Sequence, residues 1–420
     1  MKNINDVVIT GMGVVSPLGN DLKTFWTNCR SGISGVSAFN EFNGMGFKCR
    51  VAARIQDFIQ PPTRIPYDNH ILYALSAAKD AVRDAGVSFT DADTSRTGIA
   101  FSTAIAGTAF MEKFFIHDMQ GGQVRPELTQ AKKRELQANA HFSTVASEIA
   151  CLYDVRGPVL TVSTGCTGGL DALGMAVDLI KSGECDVVIA GATEAPLTPI
   201  AFAAFDIIGA MTSACNNTPQ SASRPYDLTR SGFVLGEGCG VFVLENKAHA
   251  LKRKARIYAE LISMASTCNA FHMTNLDSKG EDLARAMTLS LESAGILPEQ
   301  IDYINAHGSS TPQNDVNETN AIKNAFGDHA YSLSVSSVKS VAGHALAAAN
   351  MIESVAAVLS ITHQETTPSM NIKSPDPQCD LHYAGNDSIR IHYAMKNASG
   401  FSGIHSAIIL KQYMDSHHDK

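Results

Sequence analysis

Two features are scarce in this 420-residue sequence: charged side chains, and cysteine spacings that bind zinc or pair into disulfides. Charged residues make up 18% of the chain, apolar residues 45%, and the formal net charge is -8. Such a composition excludes a disordered chain and gives no general attraction to nucleic acid. The nine cysteines form no CxxC pair and no Cys/His finger spacing, which argues against structural zinc and against a disulfide framework. We therefore expect reduced thiols in a cytoplasmic protein.

Long apolar runs are also missing. The chain enters a predicted strand at residues 6–10 without the charged and apolar regions of a signal peptide, and no later run has membrane-spanning length. The sequence therefore predicts a protein that is neither exported nor embedded in a membrane. Its length suits two ordinary domains or one duplicated unit.

The glycine pattern of a dinucleotide-binding loop is incomplete. Gly11 and Gly13 follow a predicted strand, but Ser16 stands where the third glycine would be, and Pro17 follows it. Because a proline there interrupts the helix whose N-terminus cradles phosphate, a nicotinamide-linked oxidoreductase is disfavoured. A second glycine-rich segment, residues 232–245, has β-type residues on both sides and predicts a glycine-bent strand or hairpin.

Residues 158–194 form the segment around which the chain is organised. Residues 159–162 predict a short strand, apolar residues at helical spacing then predict a helix, and a second strand begins at Asp186. Cys166 stands where the first strand becomes the helix. The helix N-terminus favours a thiolate there, and the neighbouring glycines permit a sharp turn and close approach of a substrate. Cys166 is therefore a candidate nucleophile; the alternative is a buried structural thiol.

The second half of the chain repeats this arrangement. One predicted strand ends just before His307, and another leads into a turn that carries Lys339 and His344 and then into an alanine-rich helix at residues 345–361. Both halves place polar groups at strand-to-helix junctions, which indicates two similar α/β units whose loops share one cleft. Two loop histidines near one cysteine favour catalysis, and no ligand spacing supports a metal site.

Other charged residues have simpler interpretations. Lys339 could hold a charge network, and Glu318 could be a member of a capping box with Asp315. Residues 247–256 predict a basic helix that is either a solvated face or a docking patch for an acidic partner, and residues 132–134 are a second basic cluster. Three charged residues of a turn-rich block are expected to tie a loop together: Arg224, Asp227 and Arg230.

Four motifs occur in the order VSTGCTGG, INAHGSST, VSSVKSVAGH and ASGFSG, and together they resemble the β-ketoacyl synthases of thiolase fold. The likeness runs nearly end to end, and GCTGGLDA and INAHGSSTPQND look closer to the catalytic ketosynthase α subunit of type II polyketide synthases than to the fatty-acid enzymes. The resemblance implies a duplicated αβαβα layered fold. Its N-terminal half, residues 1–255, would carry the nucleophile. Its C-terminal half, residues 256–412, would carry the two histidines, and residues 413–420 would form a short tail.

The resemblance also assigns roles to individual residues. It implies that Cys166 is the acylated nucleophile, that His307 and His344 bind the malonyl thioester carbonyl, and that Lys339 with Glu318 maintains the charge network of the site. The remaining implied positions are an oxyanion hole at the backbone N–H groups of Cys166 and Phe401, a gate at Phe401, and phosphopantetheine contacts at Ser309 and Thr311.

The implied reaction is a decarboxylative Claisen condensation of malonyl-acyl carrier protein with a cysteine-bound acyl chain, in type II aromatic polyketide biosynthesis. No cofactor of its own is implied, since phosphopantetheine arrives on the acyl carrier protein. The implied partner is a homologous chain-length factor subunit in a heterodimer. A homodimer belongs to the first alternative, a fatty-acid 3-oxoacyl-acyl carrier protein synthase II. The second alternative, a non-catalytic chain-length subunit, lacks the nucleophile.

Two positions depart from the family pattern. Ser402 stands where the glycine-rich gate has a glycine, so the movement of Phe401 is expected to differ. Gly209 stands where fatty-acid enzymes place a basic carrier contact, so carrier docking is expected to differ as well.

Overall fold

The computed structural model describes residues 6–89 and 94–414. Its strands are β1 Val7–Val15, β2 Val36–Ala38, β3 Val51–Ala53, β4 Thr97–Ser102, β5 Val159–Val162, β6 Val187–Glu194, β7 Gly238–Asn246, β8 Ala259–Cys268, β9 Tyr303–Asn305, β10 Ser334–Ser336, β11 Tyr393–Ser399 and β12 Ile404–Gln412. Its α-helices are α1 Leu22–Arg30, α2 Asn69–Ala85, α3 Thr108–Lys113, α4 Gln130–Ala140, α5 Thr144–Tyr153, α6 Gly168–Lys181, α7 Pro199–Ile207, α8 Lys247–Lys252, α9 Glu281–Ala294, α10 Pro312–Phe326, α11 Lys339–Ala342 and α12 Leu346–His363.

The large sheet contains the same five-stranded pattern twice. Its order is β10-β9-β11-β12-β8-β1-β7-β6-β4-β5, so each half, counted from its outer edge, has three parallel strands followed by two antiparallel ones. Within this sheet, the halves are joined where Val8 and Ile9 of β1 pair with Glu260 and Ala259 of β8. This repetition confirms the predicted duplicated α/β fold.

Helices α12 and α6 each pack against strands of both halves, whereas α2 and α9 each pack against one half. α12 packs on β6 and β7 of the first half, on β11 and β12 of the second, and on α6. α2 packs on β1 and β7, whereas α9 packs on β8 and β12. Because α12 is surrounded by both halves, its residues from Leu346 to Ile361 are all buried.

The composition of α12 follows from this position. Its 18 residues have a mean hydropathy of 1.3, which by length and composition alone would suit a membrane span. However, 89% of the helix is buried inside the protein. It is therefore a core helix, apolar on all sides because both of its faces meet a sheet.

The first glycine motif serves packing. A Cβ atom on Gly11 would lie 2.2 Å from the carbonyl oxygen of Ala81, and one on Gly13 would lie 1.9 Å from that of Ala77. Since only glycine lets β1 approach the backbone of α2 this closely, the motif needs no nucleotide to explain it.

Two sequence predictions need correction. The basic helix expected at residues 247–256 ends at Lys252. The capping-box interpretation of Glu318 is wrong, because α10 begins at Pro312 and its cap is Thr311, whose side chain accepts from the N–H of Asn314. The division of the chain at residue 255 stays a prediction, and residues 415–420 of the expected tail lie outside the described residues.

Candidate active site

Cys166 lies at the predicted strand-to-helix junction. It is the middle residue of a single 3-10 turn, Gly165–Thr167, that joins β5 to α6. Asn350 of α12 holds this turn, because its side-chain amide donates to the carbonyl of Cys166 and its oxygen accepts from the N–H of Leu170 at 3.0 Å. A Cβ atom on Gly169 would lie 2.2 Å from that oxygen, so the glycine permits the contact.

The surroundings of the Cys166 thiol shift its pKa in opposite directions. Burial raises the pKa of Cys166 to about 11, while the charge of Lys339 and hydrogen bonds from the backbone N–H groups of Phe401 and Cys166 lower it. Burial of this half-buried residue thus acts against the expected preference for a thiolate. The two N–H groups that face the sulfur are the two implied for the oxyanion hole.

His307 and His344 come together as expected. His307 follows β9, and His344 lies in the turn between α11 and α12. Their ring centroids are 5.4 Å apart, with the planes at 83°. Both rings are buried, and the Nδ1 atom of each has no hydrogen-bond partner among the residues that the structure describes.

Both imidazoles are neutral. Burial, followed by the charge of Lys339, holds the pKa of His307 and of His344 well below the usual value. A neutral imidazole has one N–H donor and one acceptor nitrogen. Each ring therefore has one uncharged N–H group with which to donate a hydrogen bond.

Glu318 holds the backbone of the His307 loop. Its carboxylate accepts from the N–H of His307 at 2.6 Å and of Gly308 at 2.8 Å. The hydroxyl of Tyr226, at 3.0 Å, and the amide of Asn397 donate to the same carboxylate. Glu318 is fully buried, so these four donors replace the water that it loses.

Lys339 pairs with a residue that the sequence did not single out. Its Nζ lies 2.5 Å from Glu353 and donates to the carbonyl of His307 at 2.8 Å. Lys396 lies 2.8 Å from the other oxygen of Glu353. The network around Lys339 is therefore a buried Lys–Glu–Lys cluster. Glu318 binds the backbone of the His307 loop, but within the described residues it makes no hydrogen bond or ion pair with Lys339. Two charged residues inside otherwise apolar elements, Glu353 in α12 and Lys396 in β11, were the signal available in the sequence.

A cavity of about 280 Å³ unites the site. The predicted residues around it are Cys166, His307, Ser309, Thr311, His344 and Phe401. The hydroxyls of Ser309 and Thr311 are 2.9 Å apart at its wall. Gly209 also lines the cavity, and its φ of +66° favours glycine over the basic residue of the fatty-acid enzymes.

Phe401 stands at the exposed end of an aromatic row. Its ring, 38% exposed, stacks on Phe205 at 6.3 Å, and Phe205 contacts Phe233, whose ring lies 5.2 Å from that of His344. Ser402 follows with φ at +68°, in the left-handed region that L residues rarely adopt.

The loop-tying role expected for the turn-rich block is confirmed. Asp227 accepts from the N–H groups of Lys373 and Ser374, each at 2.7 Å. Arg230 donates to Asp376 at 2.7 Å and to the carbonyls of Thr311 and Pro312. Arg224 donates to the carbonyl of Ser221. Among residues 6–89 and 94–414, no cluster of three His, Cys, Asp or Glu side chains could hold a metal ion.

A duplicated α/β fold in which one cysteine and two neutral histidines share a cleft defines a thiolase-like acyltransferase that works through a thioester. The family models agree: residues 4–250 match the N-terminal domain of beta-ketoacyl synthases, and residues 258–373 match the C-terminal domain. The chain belongs to the β-ketoacyl synthase family.

Two curated relatives represent the two branches of the family. A putative polyketide beta-ketoacyl synthase 1 of Streptomyces cyaneus is 41% identical over 96% of this chain and 97% of its own length. The 3-oxoacyl-[acyl-carrier-protein] synthase 2 of Coxiella burnetii is 38% identical over 97% and 99%.

Two solved structures show the same fold. One is a type II polyketide synthase acyl-carrier protein in complex with its ketosynthase bound to the hexaketide. Its matched chain has a TM-score of 0.91 and 42% identity, with 98% of this chain and 100% of that chain covered. The ishigamide ketosynthase/chain length factor matches with a TM-score of 0.87, 30% identity and coverage of 98% and 100%.

Proposed function

We propose that this chain is the catalytic α subunit of a type II polyketide ketosynthase. It would condense malonyl-acyl carrier protein with an acyl chain held on Cys166. The observation that carries the proposal is the meeting of Cys166, His307 and His344 in one cavity whose walls also carry Ser309 and Thr311. A non-catalytic chain-length subunit is disfavoured because it would lack the nucleophile.

In the first step Cys166 accepts the acyl chain. Its sulfur attacks the carrier thioester as the thiol proton leaves; a new carbon–sulfur bond forms, and the phosphopantetheine thiol departs with a proton. The backbone N–H groups of Cys166 and Phe401 face this sulfur and are placed to stabilise the tetrahedral oxyanion. Ser309 and Thr311 would contact the phosphopantetheine arm, and Phe401 would gate the entrance.

In the second step the malonyl thioester loses CO₂. The electrons of the broken carbon–carbon bond move to the thioester oxygen, where the two imidazole N–H groups of His307 and His344 donate hydrogen bonds to the developing enolate. The carbanion then attacks the acyl carbon, and the sulfur of Cys166 leaves as the new carbon–carbon bond forms. Two neutral imidazoles suit the stabilisation of the enolate because each already has an N–H group that can donate a hydrogen bond. They need not first take up the proton of the Cys166 thiol.

We further propose that the chain works as a heterodimer with a chain-length factor. Outer strand β5 has no second neighbour in the described sheet, and its Val159 is 38% exposed. Three further large apolar side chains line one surface pocket and are exposed as well, namely Phe115 at 49%, Phe142 at 44% and Ile200 at 54%. A homologous chain would cover this surface, and the ishigamide ketosynthase/chain length factor is a structural relative of that composition.

The acyl carrier would dock at the mouth of the cavity. Residues 247–256 are poor candidates for this contact, because Lys247 pairs with Glu260 at 2.6 Å, Arg253 pairs with Glu245, and α8 follows the end of β7 away from Cys166. Residues 132–134 remain as a candidate basic patch for an acidic carrier. The free thiols of all nine cysteines suit a cytoplasmic location, which we propose as well.

Mass spectrometry tests the proposal directly. The purified chain, alone and co-expressed with a chain-length factor homologue, is incubated with acyl carrier and malonyl carrier. We expect an acyl group on Cys166, a one-to-one complex in native spectra, and polyketone extension by the complex only. Full activity of the chain alone on long saturated acyl carriers would instead establish the fatty-acid enzyme, whose relative from Coxiella burnetii is nearly as similar.

A further inference from the structure

The backbone around His307 is held by charged groups on both sides. Glu318 accepts from the N–H groups of His307 and Gly308. On the carbonyl side, Lys339 donates to the oxygen of His307 at 2.8 Å, and Lys396 donates to that of Ala306 at 3.3 Å. Four consecutive backbone groups are thus fixed by three charged side chains.

Lys396 is the least expected member of this set. It lies in β11, in register with Asn305 of the neighbouring strand, and it is completely buried. Its Nζ contacts Glu353 at 2.8 Å and donates to the carbonyl of Asn397 at 2.6 Å. Burial of an ammonium group is costly unless its donors are satisfied, so a lysine at this position needs a compensating reason.

The charge balance of the cluster suggests that reason. Lys339 and Lys396 are two cations, and they share one carboxylate, Glu353. Glu318 is a second buried carboxylate beside them, and its charge also acts on Lys396. The two lysines and the two carboxylates therefore balance, and without Lys396 one net negative charge would be left behind His307, in a region where charges interact more strongly than in water.

We propose that Lys396 is a positioning residue for decarboxylation, which holds the Ala306–His307 backbone and supplies the second buried cation that favours negative charge on the malonyl thioester oxygen. This inference rests on the proposed function, and it adds a residue to which none of the motifs assigns a role. Lys396 acts through His307 and Glu353 and does not line the cavity itself.

The same arrangement predicts a pH effect. The charged or titratable groups around His307 are Lys339 on α11, His344 beside α12, Lys396 on β11, His405 on β12, Glu318 on α10 and Glu353 on α12. The Lys396 charge lowers the pKa of both His307 and His344. Removing that cation makes the imidazoles easier to protonate, so the loss of activity on acidification begins at a higher pH.

The test compares Lys396→Met with Lys411→Met. Lys411, on β12, is 38% exposed at its side chain and lies 3.8 Å from Glu260, so it serves as a matched surface control. For each protein we measure acylation of Cys166 by acyl carrier and release of CO₂ from malonyl carrier between about pH 4.5 and 8. We expect Lys396→Met to acylate normally, to decarboxylate roughly tenfold more slowly or worse, and to move its acid limb up by about one pH unit.

Two outcomes overturn the inference. One is a decarboxylation rate and acid limb like those of the control; the other is loss of acylation together with decarboxylation, which would assign Lys396 to folding alone. Absence of decarboxylation in the unmodified protein would instead refute the proposed function. Glu353→Gln provides a second check, since removing the shared anion should leave the acid limb in place or move it to lower pH. A shift to higher pH in that variant would contradict the charge argument.

Discussion

The rings of His307 and His344 meet edge to face, with their centroids 5.4 Å apart, although the two residues are 37 positions apart in the sequence. Within the described residues neither Nδ1 atom has a hydrogen-bond partner, and the charges of Lys339 and Lys396 lower the pKa of both rings. The pair is therefore held neutral and close together by its surroundings, as two donors to one oxygen require.

The first prediction concerns the histidines. His307→Ala and His344→Ala should each slow CO₂ release from malonyl carrier by roughly 100-fold or more, because each removes one donor to the enolate oxygen. Acylation of Cys166, which needs neither donor, should continue. Intact-mass measurement of the acyl-enzyme and trapping of CO₂ separate the two steps. If both variants acylate poorly yet decarboxylate normally, the assigned roles are reversed.

The second prediction concerns the nucleophile. Cys166→Ala should abolish acyl-enzyme and condensation while leaving some decarboxylation, because thiol and imidazoles do separate work. Cys151→Ala is the matched control, since that thiol is exposed on α5 and does not line the cavity. Condensation product from the Cys166→Ala protein would show that another group carries the acyl chain.

The third prediction follows from the raised pKa of Cys166, which burial moves to about 11. Since only the thiolate is alkylated and its fraction grows with pH, the rate with iodoacetamide should rise about tenfold per pH unit and reach no plateau below roughly pH 10. Peptide mapping distinguishes Cys166 from the exposed thiols of Cys151 and Cys268. A plateau near pH 7 would mean that the helix end outweighs burial.

The fourth prediction concerns the turn after Phe401. Ser402→Gly should raise the free energy of unfolding by about 0.5 to 1 kcal/mol, because φ at +68° strains a serine and suits glycine. The freer turn should also change the condensation rate on the order of a few-fold if Phe401 is the gate.

The control for this prediction is Lys254→Gly, at an exposed residue with φ at +58°. It should give a similar gain in stability, measured by urea unfolding, without any change in condensation rate. If the condensation rate changes equally in both variants, the change does not arise from movement of Phe401, and the prediction is wrong.

The elements around the site and the loop positions of three residues, Cys166, His307 and His344, could be predicted from the sequence for local reasons. The period of apolar residues determines strand or helix, and a strand-to-helix junction brings Cys166, His307 and His344 to loop positions wherever the rest of the chain lies. The same kind of local pattern placed α12, expected at residues 345–361, within two residues of its observed bounds Leu346–His363.

The state of those residues was decided by tertiary structure. The sequence favoured a thiolate at Cys166, but the packing around the turn raises the pKa of this half-buried thiol and acts in the opposite direction. Glu353 and Lys396 are 43 residues apart, and the packing of α12 against β11 makes Glu353 the shared partner of Lys396 and Lys339. Desolvation and charge pairing depend on every element that reaches a point in space, and these cannot be read from the pattern of any single segment.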